Sequence, residues 1–150
     1  MQILVDADAL PNVIKDILFR AVKRLRIPLT MVANQYVTVE KSKHIKSIVV
    51  SSGPDVADDR IVELVQQGDL VVTADIPLAD RVVAKGAYAL DPRGDLYTEE
   101  NIKDRLATRN LMNELRNGGV IEGGPPGFSR KDRQAFANRL SRFLAKHCKG

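Results

Sequence analysis

Six aspartates fall in three short stretches of this 150-residue chain: Asp6 and Asp8; Asp55, Asp58 and Asp59; and Asp75. Carboxylates brought together repel one another unless something neutralises them. A hard divalent cation with oxygen ligands, Mg²⁺ or Mn²⁺, is the natural partner for such a set. A cation held this way can activate a water, orient a phosphate and stabilise a leaving oxygen. Thr73 and Ser51 lie beside these stretches, and their hydroxyls could donate to a phosphate or orient a carboxylate. Each acid also has a plainer use. Asp6, Asp8 or Asp55 could cap a helix, Asp58 and Asp59 could favour a helix dipole, and Asp75 could be a turn residue. Caps alone do not require all three places to be acidic.

The elements that must position these residues follow from the apolar pattern. Ile3-Leu4-Val5 reads as a buried strand running up to Asp6. Apolar residues from Val13 to Leu25 then recur at helical spacing, with Pro11 suited to the first turn. Strands are expected over 29–33, 48–50, 70–73 and 87–90. Residues 35–46 read as a loop or a poor helix. Ser51 to Asp55 is a turn, and Asp55 with Asp58 resembles a capping box opening a helix that stops at Gly68. A short helix is expected over 78–85, followed after the last strand by the turn Asp91-Pro92-Arg93-Gly94. Thr98 is expected to cap a long helix with Ile102, Leu106, Leu111 and Leu115 on its core face. Gly123 to Gly127 reads as a loop, and Ser129 with Asp132 opens a last basic helix.

Strands alternating with helices predict an α/β fold: three layers, with a mostly parallel central sheet of about five strands covered by helices on both faces. The length suits one domain over 1–150, with a basic helical C-terminal part from about 98. Right-handed crossovers place the strand-to-helix turns on one edge, where open α/β sheets bind ligands. The acids occupy those turns.

The net charge of +4 is unevenly spread. Residues 1–100 hold 12 Lys/Arg against 15 Asp/Glu, a net −3, whereas residues 101–150 hold 11 against 4, a net +7. Such a basic end suggests contact with a polyanion. Cys148, the single cysteine, cannot form an internal disulfide. His44 and His147 suggest no catalytic pairing, and no glycine-rich phosphate loop is present. No run approaches the ~20 apolar residues of a membrane span, and no signal-peptide pattern opens the chain, so a cytoplasmic location is expected.

Several of these stretches resemble a known family. Val5-Asp6-Ala7-Asp8-Ala9, Ser52-Gly53-Pro54-Asp55-Val56-Ala57-Asp58, Thr73-Ala74-Asp75-Ile76-Pro77-Leu78-Ala79, Pro92-Arg93-Gly94, Gly123-Gly124-Pro125 and Asp132-Arg133-Gln134-Ala135-Phe136 look like the YaiI/YqxD family of bacterial proteins, over essentially the whole chain. That family is similar to PIN-like nucleases. The resemblance implies that Asp6 matches their first-strand acid, Asp58 or Asp59 their helix acid, and Asp75 their fourth-strand acid. PIN nucleases usually carry one more acid close behind the last. Here Ile76 and Pro77 follow, and the next acid is Asp80. The family also tends to place Cys where this chain has Leu10.

The expected activity is therefore that of a metal-dependent phosphodiesterase, a nuclease acting on RNA or less readily on DNA. Asp6, Asp75 and one of Asp58 and Asp59 would hold Mg²⁺ or Mn²⁺, and Asp8 would support the metal or position water. Thr73, Arg93, Arg130, Arg133 and Arg142 would contact phosphate. Aromatics are few (5%), which argues against an extended base-stacking platform. Two alternatives stand beside this one. Asp6-x-Asp8 resembles the nucleophile and acid of haloacid-dehalogenase-type phosphatases, and a catalytically idle PIN-like module could bind RNA or protein.

Overall fold

The protein was described from a computed structural model covering residues 1–8, 10–35, 42–53, 55–119 and 128–147. The expected loop over 123–127, Cys148, Pro54 of the Ser51–Asp55 turn and half of the loop expected over 35–46 (residues 36–41) lie outside these residues. The first strand, β1 (Ile3–Asp6), is buried through Val5 and half-buried at Asp6. A helix, α1 (Asn12–Leu25), returns to the second strand, β2 (Leu29–Ala33). There follow β3 (Ile45–Val49), α2 (Val56–Leu64), β4 (Leu70–Val72), α3 (Ile76–Ala84), β5 (Tyr88–Leu90), β6 (Leu96–Tyr97), α4 (Ile102–Asn117) and α5 (Arg130–His147).

The strands form one sheet in the order β3-β2-β1-β4-β5-β6. All pairings are parallel except that of β5 with β6. Side chains alternate across it as strand geometry requires. Ile3, Val5, Leu29, Met31, Leu70, Val72 and Leu90 face α1 and α5, packing with Ile14, Leu18, Phe136 and Leu140. Leu4, Val32, Val71 and Ala89 face the other way, onto α2, α3 and the start of α4. The result is three layers with a core on each side of the sheet. Among the described residues no helix is long and apolar enough to cross a membrane.

Strand order runs one way from β1 to β3 and the other way from β4 to β6. The direction reverses between β1 and β4, and at such a switch point the loops part and leave a crevice outside the carboxyl ends of the strands. The last helix also reaches this edge. Ser129 and Asp132 form the expected reciprocal cap, with the Asp132 amide donating to Ser129 Oγ (3.2 Å) and the Ser129 amide to Asp132 Oδ2 (3.0 Å). The first two turns of α5 pack on the loop after β5. Gly94, at φ +97°, lies so close that an added Cβ would sit 2.8 Å from the Ala135 carbonyl carbon. The other end of α5 lies beside the start of β5, where His147 stacks on Phe143 (4.2 Å) and tilts against Tyr88 (4.9 Å).

Some elements differ from expectation. β6 occupies a stretch where no strand is expected, and β3 begins three residues earlier than expected, at Ile45. The helix expected to run to Gly68 ends at Leu64. Thr98 does not cap α4. Its amide instead donates to Asn101 Oδ1 (2.9 Å), and the helix begins at Ile102. Leu111, expected on the core face of α4, is 54% exposed, because only the first turns of this helix lie against the sheet layer.

Candidate active site

β1 carries Asp6 to the carboxyl edge, and the alternation that buries Leu4 toward α2 and α3 turns Asp6 to the same side. The register pairs Val5 with Val72, which sets Thr73 beside Asp6. Thr73 is 1% exposed, and its hydroxyl donates to Asp6 Oδ2 at 3.0 Å. The Thr73 hydroxyl oxygen also accepts the Asp75 amide at 3.0 Å. Asp75 Oδ1 in turn accepts the Leu78 amide (3.1 Å), capping α3, whose second residue is Pro77. One buried hydroxyl therefore joins the Asp6 carboxylate to the backbone of Asp75. Thr73, expected to meet phosphate, has its hydroxyl committed to these two aspartates.

The third acid comes from α2. Asp55 sits before the helix in the left-handed region (φ 63°), which Asp tolerates better than most residues. Its side chain makes no cap hydrogen bond, so the expected capping box does not form. Asp58 and Asp59 lie in the first turn but point apart. Asp59 pairs with Arg81 at 2.9 Å. Asp58 faces the other carboxylates: burial, then the charges of Asp75, Asp6 and Asp55, lift its pKa from 3.8 to about 6, with Arg81 opposing. Burial also raises Asp6. The Thr73 hydrogen bond pulls it back, and the charges of Asp8 and Asp75 push it further up. Asp8 itself is exposed, and its Oδ1 accepts the Asn34 amide (2.9 Å), tying the end of β1 to that of β2.

A cleft of about 410 Å³ opens beside these groups, lined by Asp6, Ala74, Asp75, Ile76, Pro77 and Arg109. Arg109, on α4, is a site residue that the sequence reading misses. It stands seven residues after buried Ile102 and three after half-buried Leu106, a stripe position that an amphipathic helix would fill with an apolar side chain. A cation there is the available signal.

The donor set is chemically suited to a hard cation. Asp6 Oδ1, Asp75 Oδ2 and both oxygens of Asp58 have no hydrogen-bond partner among the described residues. As positioned, however, no three acidic, His or Cys side chains among the described residues are gathered tightly enough to hold a metal ion. A bound cation would have to draw the three carboxylates closer together.

The remaining expected acidic and basic residues lie outside the cleft. Asp80 is paired with Lys103 (2.8 Å) and joins α3 to α4. Arg93, in the turn after β5, reaches Asp132 at 3.7 Å. Arg130 and Arg133 are exposed at the start of α5, while Arg142, twelve residues after Arg130, is ~18 Å further along the helix.

A family model described as "Uncharacterized BCR, YaiI/YqxD family" matches residues 4–146. A UPF0178 protein from Burkholderia ambifaria is 60% identical over 149 residues, covering 99% of both chains. One from Shewanella amazonensis is 61% identical over 146 residues, covering 97% of this chain and 98% of its own. No solved structure matches.

Proposed function

Because the chain belongs to the YaiI/YqxD family, whose description names no activity, we propose from the site itself that it is a divalent-metal-dependent, PIN-like nuclease acting on RNA in the cytoplasm. One observation carries this reading. Carboxylates from three separate segments face the switch point of the sheet, and burial together with the charges of Asp75, Asp6 and Asp55 lifts Asp58 to about 6. Proteins hold such unneutralised charge where function uses it.

Asp6, Asp75 and Asp58 would hold Mg²⁺ or Mn²⁺, which when bound supplies a Lewis acid and an activated water. Thr73 fixes the orientation of Asp6, and through its bond to the Asp75 amide it sets the start of α3. Asp8 adds negative charge to the edge. Arg109, across the cleft, is placed to bind the phosphate that the carboxylates would otherwise repel. Asp59 is left to its ion pair with Arg81.

The test follows thermal unfolding during Mg²⁺ and Mn²⁺ titration, beside the Asp6→Asn, Asp75→Asn double variant. A ligand that binds only the folded state raises the melting temperature. Wild type should be stabilised at millimolar metal and the variant should not, and RNA cleavage should need both the metal and the two aspartates. Equal responses would sink the metal site. Beryllium fluoride trapping on Asp6 would instead favour a phosphatase.

A further inference from the structure

The charges of the helices separate by layer. α1 and α5, on one face of the sheet, carry 10 Lys/Arg and 2 Asp/Glu, a net +8. α2, α3 and α4, on the other face, carry 6 of each and sum to zero. The pattern of ion pairs separates in the same way. On the neutral face Arg60 pairs with Glu63, Arg81 with Asp59, Lys103 with Asp80, and Arg105 with Asp95. On the basic face no ion pair among the described residues involves Arg20, Arg24, Arg130, Arg133, Arg139 or Arg142. Of its two acids, Asp132 is occupied in capping α5 and in holding Arg93.

Between α1 and α5 runs a groove of about 480 Å³. Its floor includes Ile17, Leu140 and Leu144, and Arg20, Arg24 and Ser141 stand exposed along it. The 18 residues of α5 span ~27 Å. Its arginines continue past the groove to Arg130 and Arg133 at the carboxyl edge, the edge that also bears the acidic cleft.

We propose that the α1–α5 face is a nucleic-acid docking surface, separate from the cleft and on the opposite side of the sheet. Arginines with no ion-pair partner among the described residues, strung along two helices, suit a phosphodiester backbone, which presents a charge every ~3.4 Å per strand of a duplex. The scarcity of aromatic residues makes recognition a matter of phosphate rather than of base stacking, and so independent of sequence. An acidic protein helix is disfavoured because the cations extend well beyond the apolar floor. The inference shares with the nuclease reading only its partner class. A strand held along α5 leads to the carboxyl edge, which it must cross to reach Asp6.

The test measures anisotropy of a short fluorescent RNA with EDTA present, so that binding is read without cleavage. Arg20→Glu with Arg24→Glu, and separately Arg139→Glu with Arg142→Glu, should each weaken binding about tenfold or more. Each pair should also lower the salt slope by ~2, since every phosphate left without its cation removes about 0.9 from it. Arg60→Glu with Lys103→Glu makes the same change in net charge on the neutral face and should alter binding less than twofold. Glutamine versions of the groove arginines should weaken binding in the same order and serve if a reversal disturbs folding. No binding by wild type, equal loss in the control, or displacement by polyglutamate as readily as by unlabelled RNA would each overturn the proposal. Absence of cleavage with metal would sink the nuclease reading and leave this result standing.

Discussion

Replacing Asp58 by Asn should make the protein more stable at neutral pH. The folded environment raises the Asp58 pKa from 3.8 to about 6, so the folded state holds this proton more tightly than the unfolded chain does. Stability contributed by the raised pKa is therefore greatest below pH 3.8 and is lost as pH rises to about 6. Two units at ~1.4 kcal/mol each would give nearly ~3 kcal/mol. Asp58 is partly open to solvent, and screening there reduces the figure to ~1 kcal/mol. Loss of the favourable dipole interaction at the start of α2 is contained in that net value. Urea unfolding followed by circular dichroism should find Asp58→Asn equal to wild type near pH 3.5. It should be ~1 kcal/mol more stable at pH 7, with a melting temperature higher by ~2–4 °C. Raised salt should shrink the gap. Asp59→Asn, which removes only an exposed ion pair, should change stability by ~0.5 kcal/mol or less at any pH. A destabilised Asp58→Asn at pH 7, or a gain that does not vary with pH, would refute the argument that burial and the neighbouring carboxylates raise this group.

Thr73→Val keeps the shape but leaves Asp6 Oδ2 and the Asp75 amide without their partner. It should cost ~2 kcal/mol in urea unfolding and raise the Asp6 pKa further by carbon-detected NMR titration. Gly94→Ala meets both a positive φ and the Ala135 backbone, so a loss of ~2 kcal/mol or more is expected. Phe136→Ala empties a fully buried position under α5 and should cost ~3–5 kcal/mol, read by the same unfolding assay. Arg109→Ala should leave stability within ~0.5 kcal/mol. In the same variant KM for RNA should rise by about tenfold, the kinetic readout for weakened phosphate binding.

Much of the sheet was legible because parallel strands buried on both faces read as short apolar runs, as in Ile3-Leu4-Val5 and Leu70-Val71-Val72. β6 was not legible: two residues, Leu96 and Tyr97, give no alternation to detect. The address of the acids followed from chain direction alone, since every strand-to-helix turn of a right-handed parallel sheet shares one edge. The choice between Asp58 and Asp59 did not follow, because neighbours on a helix differ by its rotation, and α2 has a single fully buried residue, Ile61, to fix that rotation. Linear charge pointed to the last third of the chain. The fold instead sets α5 beside α1, from the part with negative net charge, so the basic face combines segments that sequence order keeps apart.

The pairing of β1 with β4 also gives the site a place in the order of assembly. Asp6 and Thr73 are 67 residues apart, and they meet only when that seam closes. Before closure Asp6 belongs to one half of the sheet and Asp75 to the other, and neither feels the other's charge. A chain with both halves locally formed but the seam open would keep most of its helix content and have no cleft. The carboxylate cluster thus acts as a proof of completion. A signal from it, whether a shifted titration or a bound cation, reports that the two halves of the sheet have joined.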